Sequence, residues 1–206
     1  MRKTMILAST LLMTGGLLFA QSSSSSTPQS TADTSSSSKP TAAKSSTKMD
    51  DSFAKKAAEG GLTEVELGQL ATQKASDPAV KAFGQRMVDD HTKANDQLKT
   101  IAAQENIQLP TEPNAKDQAE KARLAKLSGA AFDKAYINHM VMDHKKDIAE
   151  FKREANTGKD EQIKNFASQT LPTLQDHLKQ AEDAQKKVVA NNASSTRSAG
   201  TTAQSQ

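Results

Sequence analysis

Ser76-Asp77-Pro78-Ala79-Val80-Lys81-Ala82-Phe83-Gly84-Gln85-Arg86-Met87-Val88-Asp89-Asp90-His91 is the stretch on which the fold turns. Asp77 has a side chain suited to cap a helix, and Pro78 suits the first helical position, where no backbone N–H is needed. From there Val80, Phe83, Met87, His91, Ala94, Leu98 and Ile101 recur at steps of three and four, the spacing of one buried helix face. His91 therefore sits in the middle of an apolar stripe, where an imidazole must find a partner or cost stability. Its motif, Asp90-His91-Thr92-Lys93, recurs as Asp143-His144-Lys145-Lys146 and as Asp176-His177-Leu178-Lys179. Three of the chain's four histidines lie in these copies.

The two further copies fall on two further stripes. Ile137, Val141, His144, Ile148, Phe151 and Ala155 form one, and Ile163, Ala167, Thr170, Leu174, His177, Ala181, Ala184 and Val188 the other. A fourth runs Phe53, Ala57, Gly60, Glu64, Leu67 and Ala71, with Glu64 interrupting an apolar or small face. Strand signals are absent, and Ala, Lys, Gln, Glu and Leu dominate. Breakers divide the chain at Ser76-Asp77-Pro78, at Leu109 to Asn114, at Ser128-Gly129 and at Thr157 to Asp160. Helices are predicted near 50–75, 78–105, 114–127, 130–156 and 160–189. Two helical hairpins joined by a longer connection make an all-α, ferritin-like four-helix bundle, with a short extra helix in the crossover, the expected architecture. An up-and-down bundle is the alternative. Pro172 should kink the last helix.

The ends read differently. Arg2 and Lys3 precede an apolar run from Met5 to Phe19, so residues 1–20 read as a signal peptide. Residues 21–48 are almost wholly Ser, Thr, Ala, Pro, Gln and Lys and are expected to be a disordered linker, as is the tail at 191–206. The folded domain is 49–190. No later segment could span a membrane, so the exported mature protein is expected to be soluble. The absence of cysteine removes disulfides, thiolate ligands and a lipidated cysteine. The net charge of +3 comes from the ends: Arg2, Lys3, Lys39, Lys44, Lys48 and Arg197 lie outside the domain, against Asp33. With a slightly acidic domain, one Tyr and no Trp, a nucleic-acid partner is not expected.

Height along the helices brings the four polar stripe residues together. Glu64 stands roughly 18 Å and His91 roughly 22 Å from Ser76, and His144 roughly 21 Å and His177 roughly 28 Å from Gly158. Glu66, the rival acid, falls further from His91. Glu64, His91, His144 and His177 can thus form one layer, a ligand set suited to a single zinc, iron, copper or manganese ion. Asp90, Asp143 and Asp176 lie about 100° round from their histidines and are placed to hold a neighbouring helix's imidazole. The same four residues could instead form a metal-free buried cluster that sets helix register. His139 lies off the stripe. Val88, Val141 and Leu174 stand where a di-iron bundle would carry the Glu of Glu-x-x-His, so a ferroxidase centre is not expected.

These residues resemble those of the bacterial exported family called domain of unknown function 4142. The matching stretches are Glu64-Val65-Glu66-Leu67-Gly68, Met87 to Asn95, Phe132-Asp133-Lys134-Ala135-Tyr136, Asp143-His144-Lys145 and Leu171 to His177. The resemblance implies a ferritin-like domain in the cell envelope, in the periplasm or associated with the outer membrane, with no established activity, and it matches the family's glutamate to Glu64 and its histidines to His91, His144 and His177.

Two functions follow. One is a non-enzymatic envelope or stress-related module whose buried Glu/His cluster is structural, with room for an envelope protein partner. The other is a periplasmic transition-metal-binding bundle for storage, buffering or redox work. No substrate motif, phosphate loop or nucleophile elbow accompanies the histidines, which favours the first and a non-enzymatic role.

Overall fold

A computed structural model gives the fold; it describes residues 47–202, with side chains through 191. The signal peptide, residues 21–46 of the linker and residues 203–206 lie outside the described residues. Five helices follow in order: α1 Lys48–Lys74, α2 Pro78–Gln104, α3 Ala115–Ala125, α4 Gly129–Thr157 and α5 Glu161–Thr202.

Side-chain caps set most helix starts. Thr47 and Asp50 form a reciprocal capping box that begins α1 two residues before its predicted start. Asp77 accepts from Ala79 N at 2.8 Å with Pro78 in the first turn, as its sequence predicts. Asn114 caps α3, and Asp160 caps α5 through the amides of Gln162 and Ile163. Asn106, at φ 59°, ends α2 in the left-handed region that Asn tolerates. Pro172 lies inside α5. The predicted end of α5 near 189 is where the apolar stripe stops, and Val188 is the last buried side chain among the described residues. The helical backbone runs on to Thr202, through a stretch expected to be disordered. No proline interrupts that extension.

Hydrogen bonds between turns fix the topology. Asp133, near the start of α4, accepts from the amides of Ser76 and Asp77 in the α1–α2 turn, both at 3.0 Å, and from the Ser76 hydroxyl. At the opposite end Lys159 N, in the α4–α5 turn, donates to Asp50 Oδ1 at 2.9 Å, and Gln162 joins Glu105 at the end of α2. So α1 and α5 run one way, α2 and α4 the other. Each long helix packs on two others, in the ring order α1, α2, α5, α4. Two consecutive bundle helices, α2 and α4, are parallel, which is the crossover topology and not the up-and-down alternative. The crossover carries α3 across α1 and α4, tied by Lys121 to Glu66 at 2.9 Å.

The core has two apolar halves. Leu67, Phe83, Met87, Tyr136, Met140 and Ala181 belong to one, and Phe53, Ala58, Leu98, Ile148, Ile163 and Leu174 to the other. Between the halves the four long helices bury Glu64, His91, His144 and His177, one from each, with Thr63 beside Glu64 on α1. The hairpin α1–α2 is drawn tight at Gly68, where a Cβ would come within 2.6 Å of the Gly84 carbonyl oxygen.

Candidate metal centre

All four predicted residues meet in one buried layer. Glu64 is 1 %, His91 6 %, and His144 and His177 0 % exposed. Ring centroids of the three histidines lie 5.3–5.9 Å apart. One ring nitrogen from each histidine lies within 4.8 Å of one from each of the others. Phe83 closes the layer from one apolar half, its ring 6.4 Å from both His144 and His177. Glu66, the rival acid, is instead half-buried on Lys121.

Outer contacts decide where the protons sit. His144 Nδ1 is 2.9 Å from the Met140 carbonyl, which can only accept, so Nδ1 carries the proton and Nε2 a lone pair. His177 Nε2 is 2.7 Å from Asp90 Oδ2, so it is the protonated nitrogen and Nδ1 the bare one. The bare nitrogens, His144 Nε2 and His177 Nδ1, face one another at 3.3 Å. His91 Nδ1 stands 3.0 Å from Glu64 Oε2, and its buried Nε2 has no hydrogen-bond partner. Glu64 Oε1 lies 3.3 Å from His144 Nδ1 but accepts no hydrogen bond, because that N–H is directed at Met140.

The electrostatics agree with neutral rings. Burial lowers all three imidazoles: His91 well below its ordinary value, His144 to about 3, and His177 less, because Asp90 pulls it back up. Proximity of the rings to each other adds to the lowering of His91 and His144. Burial, then the charges of Asp147 and Asp143, raise the Glu64 carboxyl well above the usual range. The layer thus combines three imidazole donors with a buried acid.

Of the three aspartates expected behind imidazoles, one is there. Asp90 on α2 holds His177 on α5 and is itself held by Arg86 Nε at 3.1 Å. Asp176 pairs with Arg86 at 2.8 Å, and Asp143 turns toward Glu64 and Asp147. The Met140 carbonyl and Arg86 are additions; Arg86 lies one turn before Asp90, a spacing visible in the sequence. His139, given no role, stands 3.5 Å from Glu120. A cavity of about 250 Å³ between α2 and α5, lined by Asp90, His91, Thr170, Thr173 and His177, gives access to the layer.

Crossover connectivity and a three-imidazole layer define a ferritin-like helical bundle with a buried polar centre. Residues 35–184 match the family model described as a domain of unknown function (DUF4142), and the chain belongs to that family. No curated protein matches the chain. Among solved structures, the DUF305 fragment from Deinococcus radiodurans is similar in fold, with a TM-score of 0.61 at 14% identity, over 69% of this chain and 98% of that one. Among the described residues no helix is long and apolar enough to cross a membrane.

Proposed function

We propose that this chain is an exported cell-envelope protein whose bundle binds one transition metal ion through His91, His144 and His177. The observation that carries the reading is the disposition of protons: two imidazoles present bare nitrogens to each other across 3.3 Å. Two acceptors in contact stabilise nothing by themselves, whereas a cation between them uses both lone pairs. The unpartnered His91 Nε2 is a third donor of the same kind. Glu64 and Asp90 then act behind the rings, orienting His91 and His177 and balancing the ion's charge. An ion would reach the layer through the cavity between α2 and α5. Imidazole donors suit zinc, copper and iron, with manganese the poorest fit. The role that follows most simply from a buried three-imidazole centre is storage or buffering of the ion.

Export rests on the Arg2-Lys3 and Met5–Phe19 pattern. The slightly acidic domain argues against nucleic acid and leaves an envelope protein as the class of macromolecular partner. Metal analysis of untagged protein, followed by thermal denaturation with zinc, copper, iron and manganese, tests the proposal. Binding of one equivalent that raises the melting temperature, and that is abolished in His144→Ala, supports it. Indifference to all four metals would assign the layer to helix register in a non-enzymatic envelope module.

A further inference from the structure

A second set of ligands lies on the other side of Glu64. Asp143 and Asp147 are one turn apart on α4 and share a face that looks toward α1. One carboxylate oxygen from each of Glu64, Asp143 and Asp147 lies within 4.8 Å of those of the other two. Asp143 and Asp147 are half-buried and Glu64 is buried. Three carboxylates this close repel one another, and Lys146 Nζ, paired with Asp147 Oδ1 at 3.8 Å, brings one positive charge against the three acids. Glu64 Oε1 supplies an independent sign. It is fully buried and accepts no hydrogen bond, although a buried carboxylate oxygen without a donor is costly. Helix α1 leaves room beside the cluster, because Gly60 places no side chain against Asp147 Oδ2. A groove between α1, α3 and α4, lined in part by Gly60, Asp143 and Lys146, opens this side to solvent.

We propose that Glu64, Asp143 and Asp147 bind a second divalent cation, of the oxygen-preferring class, beside the three-histidine centre and with Glu64 between the two. All-carboxylate donors suit manganese or magnesium, whereas three imidazoles suit zinc or copper. The two sites therefore select different ions and are reached from opposite faces, one between α2 and α5 and the other between α1, α3 and α4.

Manganese is the probe, because its free aqueous ion gives a paramagnetic resonance signal that binding broadens. The full-length chain is first given one equivalent of zinc and then titrated with manganese at pH 7.5. The wild type should take up one manganese per chain. Asp147→Asn should weaken that uptake by at least about tenfold, since affinity at oxygen sites follows ligand charge, while zinc binding stays within about twofold. Asp143→Asn, at a half-exposed position, serves if Asp147→Asn fails to fold. His177→Ala should lose zinc and keep manganese. Manganese uptake without zinc binding in the wild type would sink the three-histidine reading and leave this one standing. No manganese uptake, or uptake unchanged in both aspartate variants, overturns it.

Discussion

Asp90→Ala removes the carboxylate that fixes the proton of His177. Asp90 Oδ2 accepts from His177 Nε2 at 2.7 Å, and His177 is fully buried. Truncation leaves that N–H without an acceptor, at a cost of about 1–3 kcal/mol. The cavity beside His177 admits water to the stranded N–H, which puts the loss in the lower half of that range. The Arg86–Asp90 ion pair is about one-third exposed on both sides and contributes at most about 1 kcal/mol. The expected total is therefore about 2 kcal/mol, dominated by the imidazole. Urea denaturation at pH 7.5 measures it, with an unchanged m-value showing that the unfolded state is not the cause. Zinc affinity should fall about 10- to 100-fold, because the ring is no longer held in the ligating tautomer. Asp90→Asn, whose amide oxygen can accept the same proton, should recover most of the stability. Arg86→Ala should cost under about 1 kcal/mol. If Asp90→Ala stays within about 0.5 kcal/mol of the wild type and binds zinc as tightly, His177 does not depend on Asp90 and the proton assignment fails.

Opposing groups govern the pH dependence. His144 is held at about 3 in the fold against an ordinary 6.5, so its neutral form is fully compatible with folding above pH 6.5 and becomes a cost as pH falls below it. Asp147 and Glu154, raised to about 7, act in reverse: their contribution is complete at acid pH and is lost as pH rises through about 7. His91 and His177 are lowered in the same sense as His144 and oppose the raised acids, so wild-type stability should vary little between pH 5 and 7, while the destabilisation by His144→Ala should shrink by about 2 kcal/mol between pH 7.5 and pH 5; a constant difference across that range would mean that His144 is not buried neutral. Glu154→Gln should be near neutral at pH 5 and stabilising at pH 8 in the same denaturation assay, and the reverse order would contradict the burial of Glu154 beside Asp50. Gly68→Ala should destabilise by about 1–2 kcal/mol, because its Cβ would meet the Gly84 backbone. Gly60→Ala, where the nearest atom is at 3.7 Å, should be neutral or stabilising by up to about 1 kcal/mol; equal effects in thermal melts would count against the close α1–α2 approach.

The helices and the Glu/His layer were legible because both follow from local rules. Caps such as Asp77 and Asp160 mark starts, and the stripes put Glu64, His91, His144 and His177 on core faces at similar heights. The ring order of helices was not, because stripes say which face is buried but not against which neighbour. That order decides that Asp90 meets His177, whereas Asp176 reaches Arg86 and Asp143 joins Asp147 near Glu64. The i, i+4 spacing of Asp143 and Asp147 was visible, yet only the placement of α1 beside α4 adds Glu64 to them. The stripe marks where the packing of α5 stops, at Val188, and says nothing of the helical backbone that runs on to Thr202.

X-ray absorption at the zinc edge of untagged protein carrying one zinc equivalent tests ligation by the three histidines most directly, because it reads the ligands and not their consequences. The expected shell holds three imidazole nitrogens at about 2.0–2.1 Å, with the outer-ring scattering typical of histidine. That scattering should be diminished or lost in His144→Ala. A shell of oxygen atoms only, or a spectrum identical in wild type and variant, would contradict a metal held by His91, His144 and His177.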